Sequence, residues 1–81
     1  MLLEIISPDK KLYSGEVVNL NVPGSKGPFM ILKNHAPIIS TLEKGVIKIL
    51  EKDGKSTSFE VDGGVIEAKN NKIIVLAENA I

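Results

Sequence analysis

The chain has 81 residues, with ten acidic and ten basic side chains and therefore a formal net charge of zero. A chain of this length buries one modest core and has no room for a deep pocket. Every basic residue is lysine and only 4% of the residues are aromatic, so a nucleic-acid-binding surface is not expected. Because cysteine is absent, disulfides and thiolate metal sites are excluded.

The sequence shows no signal for export or membrane insertion. No apolar run approaches the roughly 18 residues of a spanning helix. The first residues, Met-Leu-Leu-Glu, enter a strand pattern at once, without a basic segment or a cleavage site. We expect neither export nor insertion, and the length predicts a single domain over residues 1–81.

Short runs of β-branched residues, separated by turn residues, recur along the chain, and no window shows a sustained helical period. We predict a small all-β sandwich or flattened barrel, mostly antiparallel, of about nine or ten short strands. The first predicted strands cover residues 2–7, 11–13, 15–22, 29–32, 38–42 and 44–51.

The strand predicted over residues 15–22 alternates between two faces. One face is wholly apolar and comprises Val18, Leu20 and Val22. The other face is mixed and comprises Val17, Asn19 and Asn21.

Residues 52–54, Lys-Asp-Gly, predict a hairpin with a three-residue loop and Gly54 in the left-handed conformation. This loop sets Ile47 opposite Phe59. A two-residue loop would instead set Ile47 opposite Glu60 and exchange the faces of the strand. The three-residue loop is therefore favoured.

Asn70-Asn71 predicts a second hairpin, with a two-residue turn in which both asparagines have positive φ. Lys69 then pairs with Lys72, and both faces of the hairpin are apolar. One face carries Ile66, Ala68, Ile73 and Val75, and the other carries Val65, Glu67, Ile74 and Leu76.

This two-faced hairpin has two interpretations. It is either a central element of a closed barrel, buried on both faces, or a docking face for a partner protein. Burial of one Val, Ile or Leu side chain contributes about 1.5–3 kcal/mol, so an exposed second face without a partner would forgo several such contributions.

Residues 24–37 form two tight loops around a short apolar run, and the second loop holds the only histidine. Gly24 and Gly27 give the first loop backbone freedom, and Pro37 restricts the second. A phosphate-binding loop would need a helix directly after it and a Lys-Ser/Thr pair, and residues 29–32 predict a strand instead. The first loop is therefore interpreted as an inter-strand turn.

His35 is the one obvious catalytic candidate, yet catalysis needs a second positioned group. No cysteine exists to pair with it, and nothing near Ser40 suggests an orienting carboxylate or an oxyanion hole. We expect a surface or interface histidine and no catalytic residue. One histidine without cysteine cannot assemble the usual zinc ligands, so no metal is expected.

The same stretch resembles the amino-terminal domain of the epsilon subunit of rotary ATP synthases. That family has a glycine-rich loop followed by Gly-Ile-Leu-Pro-Asn-His-Ala-Pro. Met30 and Lys33 depart from the pattern, at its Gly and Pro positions. The matching residues are Gly24, Gly27, Ile31, Leu32, Asn34, His35, Ala36 and Pro37. The likeness extends over essentially the whole chain.

The resemblance implies a non-catalytic central-stalk subunit between the gamma subunit and the membrane ring of c subunits, which couples ion-driven rotation to ATP synthesis. It implies a peripheral position on the cytoplasmic face of the bacterial inner membrane. The residues expected at the c-ring are Ser25, Lys26, Gly27, Pro28, Asn34 and His35. Partly from the pattern of the second hairpin, those expected at gamma are Ser7, Val65, Ile74 and Leu76.

The family's carboxy-terminal helical domain carries inhibition of ATP hydrolysis and nucleotide binding. The sequence has no counterpart of it, so we expect neither property, and no cofactor. The alternative hypothesis is a small all-β carrier domain with a lipoyl- or biotinyl-type lysine at the 52–54 hairpin, or an unrelated protein-binding module. Asp53-Gly54 is explained by turn chemistry without any modification, which disfavours the carrier.

Overall fold

The computed structural model describes residues 1–79, which form eight β-strands and contain no helix. The all-β prediction is confirmed. Eight strands replace the nine or ten expected, because one continuous strand takes the place of the two predicted over 11–13 and 15–22. The strands are β1 (Leu2–Ile6), β2 (Lys11–Val22), β3 (Phe29–Leu32), β4 (Ile38–Leu42), β5 (Gly45–Glu51), β6 (Ser56–Val61), β7 (Gly64–Lys69) and β8 (Lys72–Ala77).

The strands join in the order β4-β7-β8-β1-β2-β5-β6, with β3 paired to β2. All pairs are antiparallel except β1 and β8, which run parallel. The first part of β2 pairs with β1, and the part from Val17 onward pairs with β5 and then also with β3. The long strand β2 therefore carries the sheet from one layer of the sandwich into the other.

The curled sheet encloses one hydrophobic core to which every strand contributes. No polar or charged side chain is buried among the described residues. None of them lies in a helix able to cross a membrane. The largest wholly buried side chains are Leu3, Ile5, Leu20, Ile31, Ile47, Ile66 and Ile73.

The predicted alternation within β2 is wrong at Val17 and Val18. Val17 is buried and Val18 is exposed, the reverse of the expected faces. The pairing with β5 shifts between Val17 and Asn19, so Val18 is an extra residue in a bulge. A bulge resets the alternation, and Leu20 and Val22, which share a face as predicted, lie in the core.

Both hairpin registers are confirmed. In the β5–β6 hairpin Ile47 pairs with Phe59, and Gly54 has φ of 89°. In the β7–β8 hairpin Lys69 pairs with Lys72 around a turn in which Asn70 and Asn71 have φ of 52° and 60°. Both turns therefore adopt the backbone conformations that their residue types favour.

Candidate interaction surfaces

The second face of the β7–β8 hairpin lies on the outside of the molecule. Val65 and Leu76 are 39% and 54% exposed, and Ile74 is half-buried. The opposite face, with Ile66, lies in the core. The closed-barrel interpretation of this hairpin is therefore wrong, and the exposed face is available to a partner.

Neighbouring strands extend this apolar surface on both sides. Leu76 pairs with Val65 on β7 and with Ile6 on β1. On β4, Ile39 is 71% exposed and pairs with Glu67, diagonal to Val65. We call this surface the outer apolar patch, formed by Ile6, Ile39, Val65, Ile74 and Leu76.

Ile6 and Ile39 were missed from the sequence, although a signal was present. Each belongs to a doublet, Ile5-Ile6 and Ile38-Ile39. Because successive residues of a strand point to opposite faces, a doublet places one apolar side chain on each face. Only the strand order shows that the outward member of each doublet joins the β7–β8 hairpin.

Charged groups border the outer apolar patch. Glu4 pairs with Ile74 across β1 and β8, and its carboxylate contacts Lys11 Nζ at 2.8 Å and Lys72 Nζ at 3.9 Å. The hydrogen bond and the charge of Lys11, with the charge of Lys72, lower the pKa of Glu4 below its ordinary value of 4.5. On the other side of Ile74, exposed Glu67 lies within the patch, so the patch combines apolar side chains with carboxylates.

Ser7 lies directly after Ile6, at the margin of the patch, and its side chain stabilises the turn that follows. Its hydroxyl donates to the Lys10 carbonyl at 3.1 Å and accepts from the Lys10 amide at 3.3 Å. The Ser7 amide also donates to the Lys10 carbonyl, at 2.9 Å. Ser7 thus fixes the end of β1 and is half-buried.

The glycine-rich loop between β2 and β3 is held against the end of β4. The Ser25 amide donates to the Thr41 carbonyl at 3.0 Å, and the Thr41 hydroxyl donates to Ser25 Oγ at 2.9 Å. A Cβ on Gly24 would lie 2.6 Å from the Gly27 carbonyl oxygen and 2.7 Å from the Phe29 ring, so glycine is required there. Ser25, Lys26 and Pro28 are exposed, and Gly27 is half-buried.

The histidine corner between β3 and β4 is also ordered by hydrogen bonds. Asn34 has φ of 64°, and the His35 amide donates to the Leu32 carbonyl at 3.1 Å. The Asn34 amide donates to Asn71 Oδ1 at 2.7 Å, and Asn71 Nδ2 donates to Asn34 Oδ1 at 2.9 Å. His35 Nδ1 lies 2.6 Å from the Ala36 carbonyl oxygen. The corner is therefore tied to the β7–β8 turn.

The two loops predicted to face the c-ring, residues 25–28 and 34–35, lie at opposite ends of β3 and do not form one cluster. β3 has four residues, a length of about 13 Å at the usual rise per residue. Its outward side chains, Met30 and Leu32, are 45% and 53% exposed. They connect the two loops into one surface, the β3 ridge, formed by Ser25, Lys26, Gly27, Pro28, Met30, Leu32, Asn34 and His35.

The His, Asp and Glu side chains of the described residues are not clustered. Within residues 1–79, no group of three or more His, Asp or Glu residues is placed to hold a metal ion. At the tip of the β5–β6 hairpin, the Asp53 carboxylate accepts a hydrogen bond from the Lys55 amide at 3.0 Å. Asp53 thus serves the turn, as the sequence predicted.

Comparison with known protein families shows which family this sequence matches. The model of the family described as "ATP synthase, Delta/Epsilon chain, beta-sandwich domain" matches residues 1–81. A protein from Leptospira borgpetersenii named ATP synthase epsilon chain is 48% identical over 77 residues, which are 95% of this chain and 60% of that protein. An ATP synthase epsilon chain from Chlorobium limicola is 39% identical over 95% of this chain and 88% of its own length.

Solved structures with the same fold have little sequence identity to this chain. A chain in the cryo-EM structure of the Euglena gracilis mitochondrial ATP synthase, containing OSCP, F1 and the c-ring, matches with a TM-score of 0.90 at 15% identity. The match covers all of this chain and 52% of that one. A chain in the Tetrahymena thermophila central stalk and c-ring structure matches with a TM-score of 0.81 at 17% identity, over 65% of its length. These two matches establish the fold alone.

Proposed function

The chain belongs to the family of ATP synthase delta/epsilon-chain beta-sandwich domains, and we propose that it is a non-catalytic central-stalk subunit linking gamma to the c-ring. In this role it transmits rotation of an ion-driven ring to gamma and so to ATP synthesis. The observation that carries the proposal is the presence of two exposed surfaces, the outer apolar patch and the β3 ridge, on one closely packed β-domain.

We assign the outer apolar patch to gamma. An exposed apolar area that spans neighbouring strands is typical of a protein-binding surface, and its burial provides the free energy of association. Val65 and Leu76 lie next to each other at its centre. Ion-paired Glu4 at its edge favours one orientation of a partner over others.

We assign the β3 ridge to the polar loops of the c-ring. In the ridge, the exposed side chains of Met30 and Leu32 lie between the two loops. Both of its loops are fixed by hydrogen bonds, to β4 on one side and to the β7–β8 turn on the other. A contact that transmits torque needs such stiffness, because a freely moving loop would dissipate the displacement.

The subunit works without chemistry of its own, as a peripheral part of a membrane-bound complex at the cytoplasmic face of the bacterial inner membrane. We expect this chain to bind no nucleotide and, added to a gamma-containing catalytic core, to leave ATP hydrolysis largely uninhibited. Calorimetric titration with ATP should give no binding heat. Binding at micromolar affinity, or strong inhibition of hydrolysis, would contradict this part of the proposal.

The gamma assignment is tested by charge substitution in the patch. Val65→Asp and Leu76→Asp should each reduce capture of gamma in a pull-down at least tenfold, because each places a carboxylate in the buried centre of the interface. Val18→Asp is the matched control, since Val18 is 47% exposed but lies in the β2 bulge outside the patch. Equal capture by all four proteins would refute the assignment.

A further inference from the structure

The histidine corner and the β7–β8 turn are joined by two asparagine side chains that lie 37 positions apart in sequence. Asn71 accepts from the Asn34 amide through Oδ1 and donates to Asn34 Oδ1 through Nδ2, at 2.7 and 2.9 Å. Both asparagines have positive φ, at 64° and 60°. We call this pair of hydrogen bonds the asparagine clamp.

The turn accepts asparagine at position 71 but does not require it. In a two-residue turn with both residues at positive φ, glycine is the favoured second residue. Asn71 tolerates its φ of 60° and in addition supplies one acceptor and one donor on a short side chain. The clamp uses both, so the residue type fits a function beyond the turn.

The clamp connects the two candidate surfaces through one element. The strands that flank Asn71 carry Val65, Ile74 and Leu76 of the outer apolar patch. Its other end holds Asn34, which is adjacent to His35 on the β3 ridge. The clamp therefore connects the histidine corner to the turn of the hairpin proposed to contact gamma.

We propose that Asn71 is a positioning residue: through the asparagine clamp it holds the Asn34–His35 corner in the conformation that engages the c-ring. This inference rests on the proposed function for its functional part. Its structural part, that Asn71 restrains the corner, is independent of any partner.

The structural part is tested by Asn71→Gly with Asn70→Gly as the matched control. Both substitutions keep the turn compatible with positive φ, and only the first removes the clamp. The Asn70 side chain makes no hydrogen bond to another described residue. In Asn71→Gly, exchange of the Asn34 amide hydrogen should accelerate about fivefold or more, as expected for loss of its acceptor. If the Asn34 amide of Asn71→Gly exchanges at the wild-type rate, or if it exchanges equally fast in Asn70→Gly, Asn71 does not restrain the corner.

Asn71→Asp gives a graded test. Aspartate tolerates positive φ and keeps an acceptor for the Asn34 amide, but its ionised carboxylate cannot donate to Asn34 Oδ1. The rate of hydrogen exchange at the Asn34 backbone amide should stay close to that of wild type. The affinity for the c-ring should fall between those of wild type and Asn71→Gly. Exchange in Asn71→Asp as fast as in Asn71→Gly would show that Asn71 Oδ1 does not restrain the corner.

The functional part is tested with purified c-ring and gamma as separate partners. Asn71→Gly should weaken binding to the c-ring about fivefold or more and leave gamma binding within twofold of wild type, because the patch is untouched. Equal c-ring binding by wild type and Asn71→Gly would overturn the positioning role alone. Failure of the wild-type chain to bind the ring would overturn the proposed function and the positioning role with it.

Discussion

At the scale of single residues, Tyr13 shows how one polar group is accommodated at the margin of the core. Its hydroxyl donates to Glu51 Oε1 at 2.8 Å, and its ring meets Phe59 edge-on at a centroid distance of 6.0 Å. Partial burial, with the hydrogen bond to Glu51 and the charges of Glu51 and Asp53, raises the pKa of Tyr13 from 10.0 to about 12. The contacts of Tyr13 with Glu51 and Phe59 join β2 to the β5–β6 hairpin.

The raised pKa predicts an alkaline loss of stability. Because the folded state binds the phenolic proton more tightly than the unfolded state, its contribution is fully present below pH 10 and is lost between pH 10 and about 12. Tyr13→Phe cannot ionise and should lack this decline. Chemical unfolding from pH 9 to about 12 measures it. A parallel decline in wild type and Tyr13→Phe would assign the alkaline loss to other groups.

At the scale of elements, hairpin registers could be predicted because turn residues and side-chain alternation act locally. The Asp53-Gly54 and Asn70-Asn71 turns each specify a loop length, and the loop length fixes every pair that follows. The bulge at Val18 could not be predicted. Its neighbours Val17 and Asn19 read as ordinary alternation, and the extra residue becomes visible only against the register of β5.

The confirmed β7–β8 register places two like charges opposite each other, Lys69 and Lys72. Such pairs are destabilising, and an opposite-charge pair contributes roughly 0.2–1 kcal/mol. Lys69→Glu should therefore raise the free energy of unfolding by about 0.5 kcal/mol at low salt, with a smaller gain at high salt.

Urea unfolding at two salt concentrations measures this change. Lys48→Glu is the matched control, because Lys48 is also an exposed strand lysine but pairs with Ser58. A gain of the same size in both variants would show that the effect comes from net charge and not from the cross-strand pair.

At the scale of the whole molecule, the family could be identified from the residues around His35, and the all-β class from the strand pattern. Not every residue of the two surfaces could be predicted from the sequence. Ile39 joins the outer apolar patch only because β4 pairs with β7, and Met30 joins the β3 ridge only because the outward face of β3 is left uncovered. The position of a residue in the sequence does not show which strands and faces become its neighbours in the fold.

In the proposed function, one rigid β-domain contacts two different partners through two different surfaces. Since the chain contains no cysteine, Leu76→Cys and Met30→Cys each introduce a unique attachment point on it for a maleimide-benzophenone probe. After photolysis in the assembled ATP synthase, we predict that the probe at position 76 cross-links to gamma and the probe at position 30 to a c subunit. Cross-linking of both positions to the same subunit, or of neither, would contradict the account.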